Sequence, residues 1–146
     1  MASNLKAGIR LASPVTIFSI AVCALTNATA QEIDYPDSFN EPMALFPEAM
    51  GDFHFPISSD VALAQEYFDQ GFQLMYSFAK EDAARSFQAS HIADPDCGIC
   101  FWGEAWAWGS YLNGAMTTAQ APRAYAAMEQ ALARLDTATA KETDLI

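Results

Sequence analysis

Basic side chains are scarce in this 146-residue chain: seven Lys and Arg stand against 18 Asp and Glu, a formal charge of −11. A field of that sign repels nucleic acid and anionic lipid, which excludes both as partners. Neutral, cationic or metallic partners remain, although an acidic surface also serves simply to keep a protein soluble. Metal and redox donors are few as well, with two His and three Cys. No glycine-rich phosphate loop, two-histidine zinc-protease helix or serine elbow occurs. With no nucleophile–base pair in evidence, the chain is not expected to be an enzyme. Long apolar runs are also missing. The stretch from about residue 14 to residue 25 falls well short of the ~20 residues a membrane span needs.

That short run reads instead as part of a leader. Lys6 and Arg10 precede it and Ala28-Thr29-Ala30 follows, the layout of a secretory signal peptide over residues 1–30, cleaved before Gln31. Cys23 follows the bulky Val22 and is not read as a lipidation site. Losing Lys6 and Arg10 leaves five basic side chains against 18 acidic ones, a charge of −13 on residues 31–146. The expected location is the periplasm or the exterior, where neighbouring thiols pair unless they are reduced or metallated.

Residues 31–58 show no sustained periodicity and are punctuated by Pro36, Pro42, Pro47 and Pro56. They are expected to form an extended lead-in against the folded part, with Phe46, Phe53 and Phe55 as anchors. Residues 59–146 are alanine-rich and carry helical periods. Ser59 or Asp60 can cap a first helix whose apolar stripe is Ala64, Tyr67, Phe68, Gly71, Leu74, Met75 and Phe78. A second helix spans about 80–93 and stops at Asp94-Pro95; a third spans about 96–108. Asn113-Gly114 marks a turn in a loop over 109–121. Pro122 then opens a fourth helix of about 122–135, with Ala124, Met128, Ala131, Leu132 and Leu135 as its stripe. Thr139 to Glu142 is a capping-box pattern that starts a fifth. So little chain follows it that the sequence reads as a fragment of a longer protein.

Residues 64–97 place two helices and a turn in the 34 residues typical of a tetratricopeptide repeat, which this stretch resembles. Tyr67 stands at the family's aromatic position, Gly71 at the small position of the first helix and Leu74 at the next packing position. Ala83 and Phe87 follow on the second helix and Pro95 at its end. Gln70 replaces the usual leucine and Ser90 the usual alanine. Small residues at 71 and 83 are expected where two helices cross closely, with Tyr67, Leu74 and Phe87 filling the space beside them. A second copy starts near Gly98, with Phe101, Ala105 and Trp108 as aromatic, small and packing residues. Its second helix fits after an insertion of about seven residues, with Ala124, Met128 and Ala131 taking the places of Ala83, Phe87 and Ser90. The chain is also similar to exported bacterial repeat proteins whose repeats join through Asp-Pro-Asp-Cys, a second cysteine and Trp-Gly. The resemblance implies an all-α, TPR-like solenoid whose first helices line a concave groove for a protein or peptide.

Cys97 and Cys100 carry the remaining chemistry. Haem attachment requires histidine after the second cysteine, and Phe101 is there instead. A thiol at a helix N-terminus has its thiolate stabilised, which suits redox exchange, but no strand–helix–strand pattern accompanies the pair. A structural disulfide is therefore expected. The alternative is a periplasmic thiol or metal-handling protein binding copper or zinc through both sulfurs, with His91 as candidate third ligand. Otherwise no cofactor is implied. Trp102 and Trp106 share a helix face, on the side the family turns toward its groove, and are the candidate partner contacts. Glu104 between them is the acid to watch.

Overall fold

A side-chain N-cap closes one of the described α-helices, and the others start without one. A computed structural model describes residues 31–146, and the expected signal peptide of residues 1–30 lies outside them. Among the described residues the regular structure is helical: a 3-10 turn at Asp37–Asn40, then α1 (Ala62–Tyr76), α2 (Lys80–Ala93), α3 (Gly98–Trp108), α4 (Ala121–Leu132) and α5 (Ala140–Thr143). α1 packs on α2, α2 on α3 and α3 on α4, and α1 also touches α3. The Asn113-Gly114 signal corresponds to a tight turn in which Tyr111 and Gly114 exchange backbone hydrogen bonds of 3.0 and 3.2 Å. The expected capping box at α5 is present, with Thr139 and Glu142 each bonding the other's backbone N–H. At α1 the expectation differs from what forms. Val61 is the cap residue and supplies no side-chain bond. The Ser59 hydroxyl instead donates to Asp94, tying the start of α1 to the end of α2.

Phe78 does not extend the buried stripe of α1. It is exposed and takes a left-handed backbone, φ 62°. Phe78 N–H donates to Met75 C=O (3.1 Å) and Ala79 N–H to Leu74 C=O (3.0 Å). This is the Schellman pattern, which favours glycine at the left-handed position. A bulky residue there costs about 1–2 kcal/mol. Phe78→Gly is therefore expected to stabilise the chain by up to about 1 kcal/mol once glycine's greater unfolded-state entropy is deducted. A lower urea midpoint for this variant would refute the strain.

The core is organised around Phe87 of α2, which is fully buried. A Cβ placed on Gly71 of α1 would lie 2.9 Å from its ring, and one on Gly103 of α3 only 2.4 Å away. The ring thus occupies the space two missing side chains leave, and links three helices. Gly71 is small because of an aromatic ring laid against its helix, rather than because two backbones meet. Leu74, Ala83, Phe101 and Ala105 are buried, and Tyr67 is half-buried. Ala105 joins Phe101, Ala126, Ala127 and Ala131 in a second cluster between α3 and α4. Pro95 is exposed in the α2–α3 turn, where its role is to end the helix, not to pack.

The lead-in wraps the helices, but its anchors differ from those expected. Ile33, Phe39 and Met43 are buried and Phe55 half-buried, whereas Phe46 and Phe53 are exposed. A turn at residues 46–50, closed by Ala49 and Met50 N–H groups on the Phe46 carbonyl, lifts Phe46 from the surface. With no partner strand, this segment's backbone groups need side-chain partners. Polar residues of α1 supply them. Gln70 accepts from Phe46 N–H (2.7 Å) and donates to Ala44 C=O (2.9 Å). Gln73 accepts from Gly51 N–H (2.8 Å), Asp69 from Phe55 N–H (2.9 Å) and Gln65 from Ile57 N–H (3.1 Å). The departure from the repeat pattern at Gln70 thus has a physical reason: the side chain is buried and holds the lead-in.

Candidate functional site

Three arrangements come from the residues singled out above. The first is aromatic. Trp102 and Trp106 lie one helical turn apart on α3, half-buried, with ring centroids 5.6 Å apart. Trp106 continues to Phe72 (5.2 Å) and Tyr76 (6.2 Å) on α1, and Phe72 stacks on Phe53 of the lead-in (4.8 Å). Tyr76 is 72% exposed. The row borders a cleft of about 450 Å³ lined by Phe53, Phe72, Gln73, Tyr76 and Ser77. An adjoining cleft shares Phe53 and Gln73 and adds Glu66 and Asp69. No Lys or Arg lines either one. Phe72 and Tyr76 escaped sequence reasoning and Phe53 was read only as a lead-in anchor, yet a signal was available: Phe72 precedes Trp106 by 34 residues, the period of the family the sequence resembles.

The second arrangement is polar and sealed. Glu104 is wholly buried between α2, α3 and the lead-in. Its Oε2 accepts from Tyr35 Oη (2.9 Å) and lies 2.7 Å from His91 Nε2, while its Oε1 accepts from Trp108 Nε1 (2.9 Å). A carboxylate offers only acceptors, so the His91 contact places a hydrogen on Nε2. His91 is also stacked on Phe101 at 4.1 Å. Burial, then the charge of Glu104 and its hydrogen bond, push the Tyr35 hydroxyl far above its usual pKa. Three donors converging on one carboxylate make a brace among α2, α3 and the lead-in.

The third is the cysteine pair. Cys97 is the cap residue of α3, Cys100 lies in its first turn, and their sulfurs are at bonding distance with Cα atoms 5.4 Å apart. Both residues are buried. Cys100 Sγ receives the Ser90 hydroxyl at 3.1 Å, and that hydroxyl also donates to Ala64 C=O (2.6 Å), so the second departure from the repeat pattern also places a polar group at a contact. His91, the candidate third ligand, is directed to Glu104. Among the described residues no three His, Cys, Asp or Glu side chains are grouped to hold a metal ion.

Comparison with protein families, with curated proteins and with solved structures finds no match to this chain.

Proposed function

We propose that this chain is an exported, TPR-like helical scaffold that binds a protein or peptide along the aromatic row of α1 and α3. The observation that carries the reading is the row itself: Phe53, Phe72, Tyr76, Trp106 and Trp102 in ring-to-ring contact on two neighbouring helices and part of the lead-in, with Tyr76 largely exposed. Aromatic residues are the usual anchors of protein interfaces, giving large contact area at low entropic cost. Glu66 and Asp69 beside the row, with no basic side chain in either cleft, favour a segment combining apolar and cationic residues. The α1–α3 contact is what stacked repeats require. Thiol or metal handling at Cys97 and Cys100 has less support, because buried sulfurs are poorly placed for exchange with a partner thiol.

A selection from a random peptide library tests the reading. Enriched peptides should carry Lys or Arg near aromatic or aliphatic residues. The Trp102→Ser/Trp106→Ser variant should bind them at least tenfold more weakly while keeping its helical circular dichroism. Enrichment of acidic peptides, or unchanged affinity in the double variant, would reject the aromatic row as the site.

A further inference from the structure

The Glu104 carboxylate is enclosed, but the imidazole that donates to it is open on its other side. His91 is 8% exposed, and its ring is fixed by Phe101 against one face and by Glu104 at Nε2. Because Nε2 carries the hydrogen, Nδ1 of the neutral ring holds a lone pair. Both hydrogen-bond contacts of this side chain among the described residues are made by Nε2, so Nδ1 has no partner there. Nδ1 is nevertheless not sealed: the side-chain N and O atoms buried without a partner among those residues are Ser58 Oγ and Arg85 Nε. A rigidly held acceptor that no protein donor satisfies is an opening for a donor on a ligand.

His91 lines a cleft of about 460 Å³ with Glu32, Ile33, Ile92, Pro95 and Phe101. This cleft shares no lining residue with those beside the aromatic row. Two further polar residues in its lining are already engaged, Tyr35 donating to Glu104 and Gln130 bonding Arg134 and the Gln31 carbonyl. Glu32 is exposed and makes no ion pair among the described residues. No Lys or Arg lines the cleft. Arg134 packs over the Phe101 ring at 4.3 Å, with its guanidinium held by Pro95 and Gln130. The cleft thus offers two acceptors, one of them charged, beside the apolar side chains of Ile33, Ile92 and Pro95. Ile92 is 66% exposed, so that apolar surface is uncovered.

We propose that this cleft binds a primary alkylammonium ion, its head donating to His91 Nδ1 and Glu32 and its chain lying along Ile33, Ile92 and Pro95. An ammonium has three donors and no acceptor, the complement of this pair. Titration calorimetry of the full chain with octylammonium tests it, in mildly alkaline buffer where a free imidazole is neutral and an alkylamine still protonated. Octyltrimethylammonium keeps the charge and the tail without an N–H, and octanoate reverses the charge. Octylammonium should bind one-to-one, and both controls about tenfold more weakly or worse. No octylammonium binding would overturn the site. So would equal binding of the trimethyl analogue, which would reduce the contact to attraction by the chain's general negative charge. Nα-acetyl-lysine methylamide carries the same head on a shorter stem, and affinity equal to that of octylammonium would overturn a free amine in favour of a lysine side chain of a protein. His91→Phe keeps a ring against Phe101 and should bring octylammonium down to the level of its trimethyl analogue; unchanged affinity overturns the site. Should this variant fail to fold, the side-chain nitrogen resonances of the parent's two histidines decide. Octylammonium should move Nδ1 of His91 and leave His54 in place, and saturation with Nδ1 of His91 unmoved would overturn the site.

Discussion

A Gly103→Leu variant should lose about 3 kcal/mol of stability or more, the upper range for overpacking a filled core. The reason is the position of Phe87. Even a single added Cβ on α3 would meet its ring at 2.4 Å, and the ring has little room to yield, because Gly71 of α1 lies against the same Cδ1–Cε1 edge at a distance where a Cβ would be 2.9 Å away. Gly71→Leu should destabilise in the same direction but less, in proportion to the milder clash. Phe87→Ala alone should cost about 3–5 kcal/mol through the cavity it leaves. Combined with Gly103→Leu it should cost clearly less than the two changes summed, since the leucine enters the vacated space. Urea titrations of the three single variants and the Gly103→Leu/Phe87→Ala double variant supply the cycle. Strict additivity, or Gly103→Leu unfolding like the parent, would remove Phe87 from the centre of the packing.

Glu104→Met is expected to cost about 3–5 kcal/mol, a large share of the 5–15 kcal/mol that holds a typical domain together. Methionine fills the volume but accepts nothing useful, and the Tyr35 hydroxyl, the His91 Nε2–H and the Trp108 indole N–H would be left buried without their acceptor. Glu104→Gln keeps one carbonyl acceptor and should lose less. The same brace has a pH signature. The Tyr35 pKa is raised in the fold, so the native state holds this proton more tightly than the unfolded chain. Its contribution is intact below the ordinary tyrosine value near 10 and fades as pH rises past it. Melting temperatures of Glu104→Met, Glu104→Gln and Tyr35→Phe across neutral and alkaline pH check both points. Equal melting of parent and Glu104→Met would mean that the network carries no net stability.

The helices and most of their ends were legible in the sequence because they depend on near neighbours, although α1 starts without the expected Ser59 or Asp60 cap and α4 stops at Leu132, short of Leu135. The alanine-rich periods, the Asp94-Pro95 stop, the Asn113-Gly114 turn and the Thr139–Glu142 box act within a few residues, and each lies where its chemistry places it. Gly71 and Phe87 were legible as packing positions through the repeat spacing, and Glu104 as a carboxylate in an aromatic setting. Trp102 and Trp106 were identifiable as one helix face because their separation fixes their direction. What α1 would set beside that face was not.

Tertiary structure decided everything that depends on contacts between distant segments. Gly103 reads as one more residue of α3 until Phe87, sixteen positions earlier, comes to lie against it. Tyr35 sits in a stretch without periodicity, so nothing local says that its hydroxyl will reach Glu104, 69 residues away. Gln65, Asp69, Gln70 and Gln73 read as the polar side of a helix. They become the lead-in's backbone partners only because that segment, lacking a partner strand, must satisfy its N–H groups when it lies against α1. Spacing along a chain determines local geometry and the direction of each side chain on its helix. Which buried donor meets which acceptor, and which ring fills the gap beside a glycine, is determined only when the helices pack.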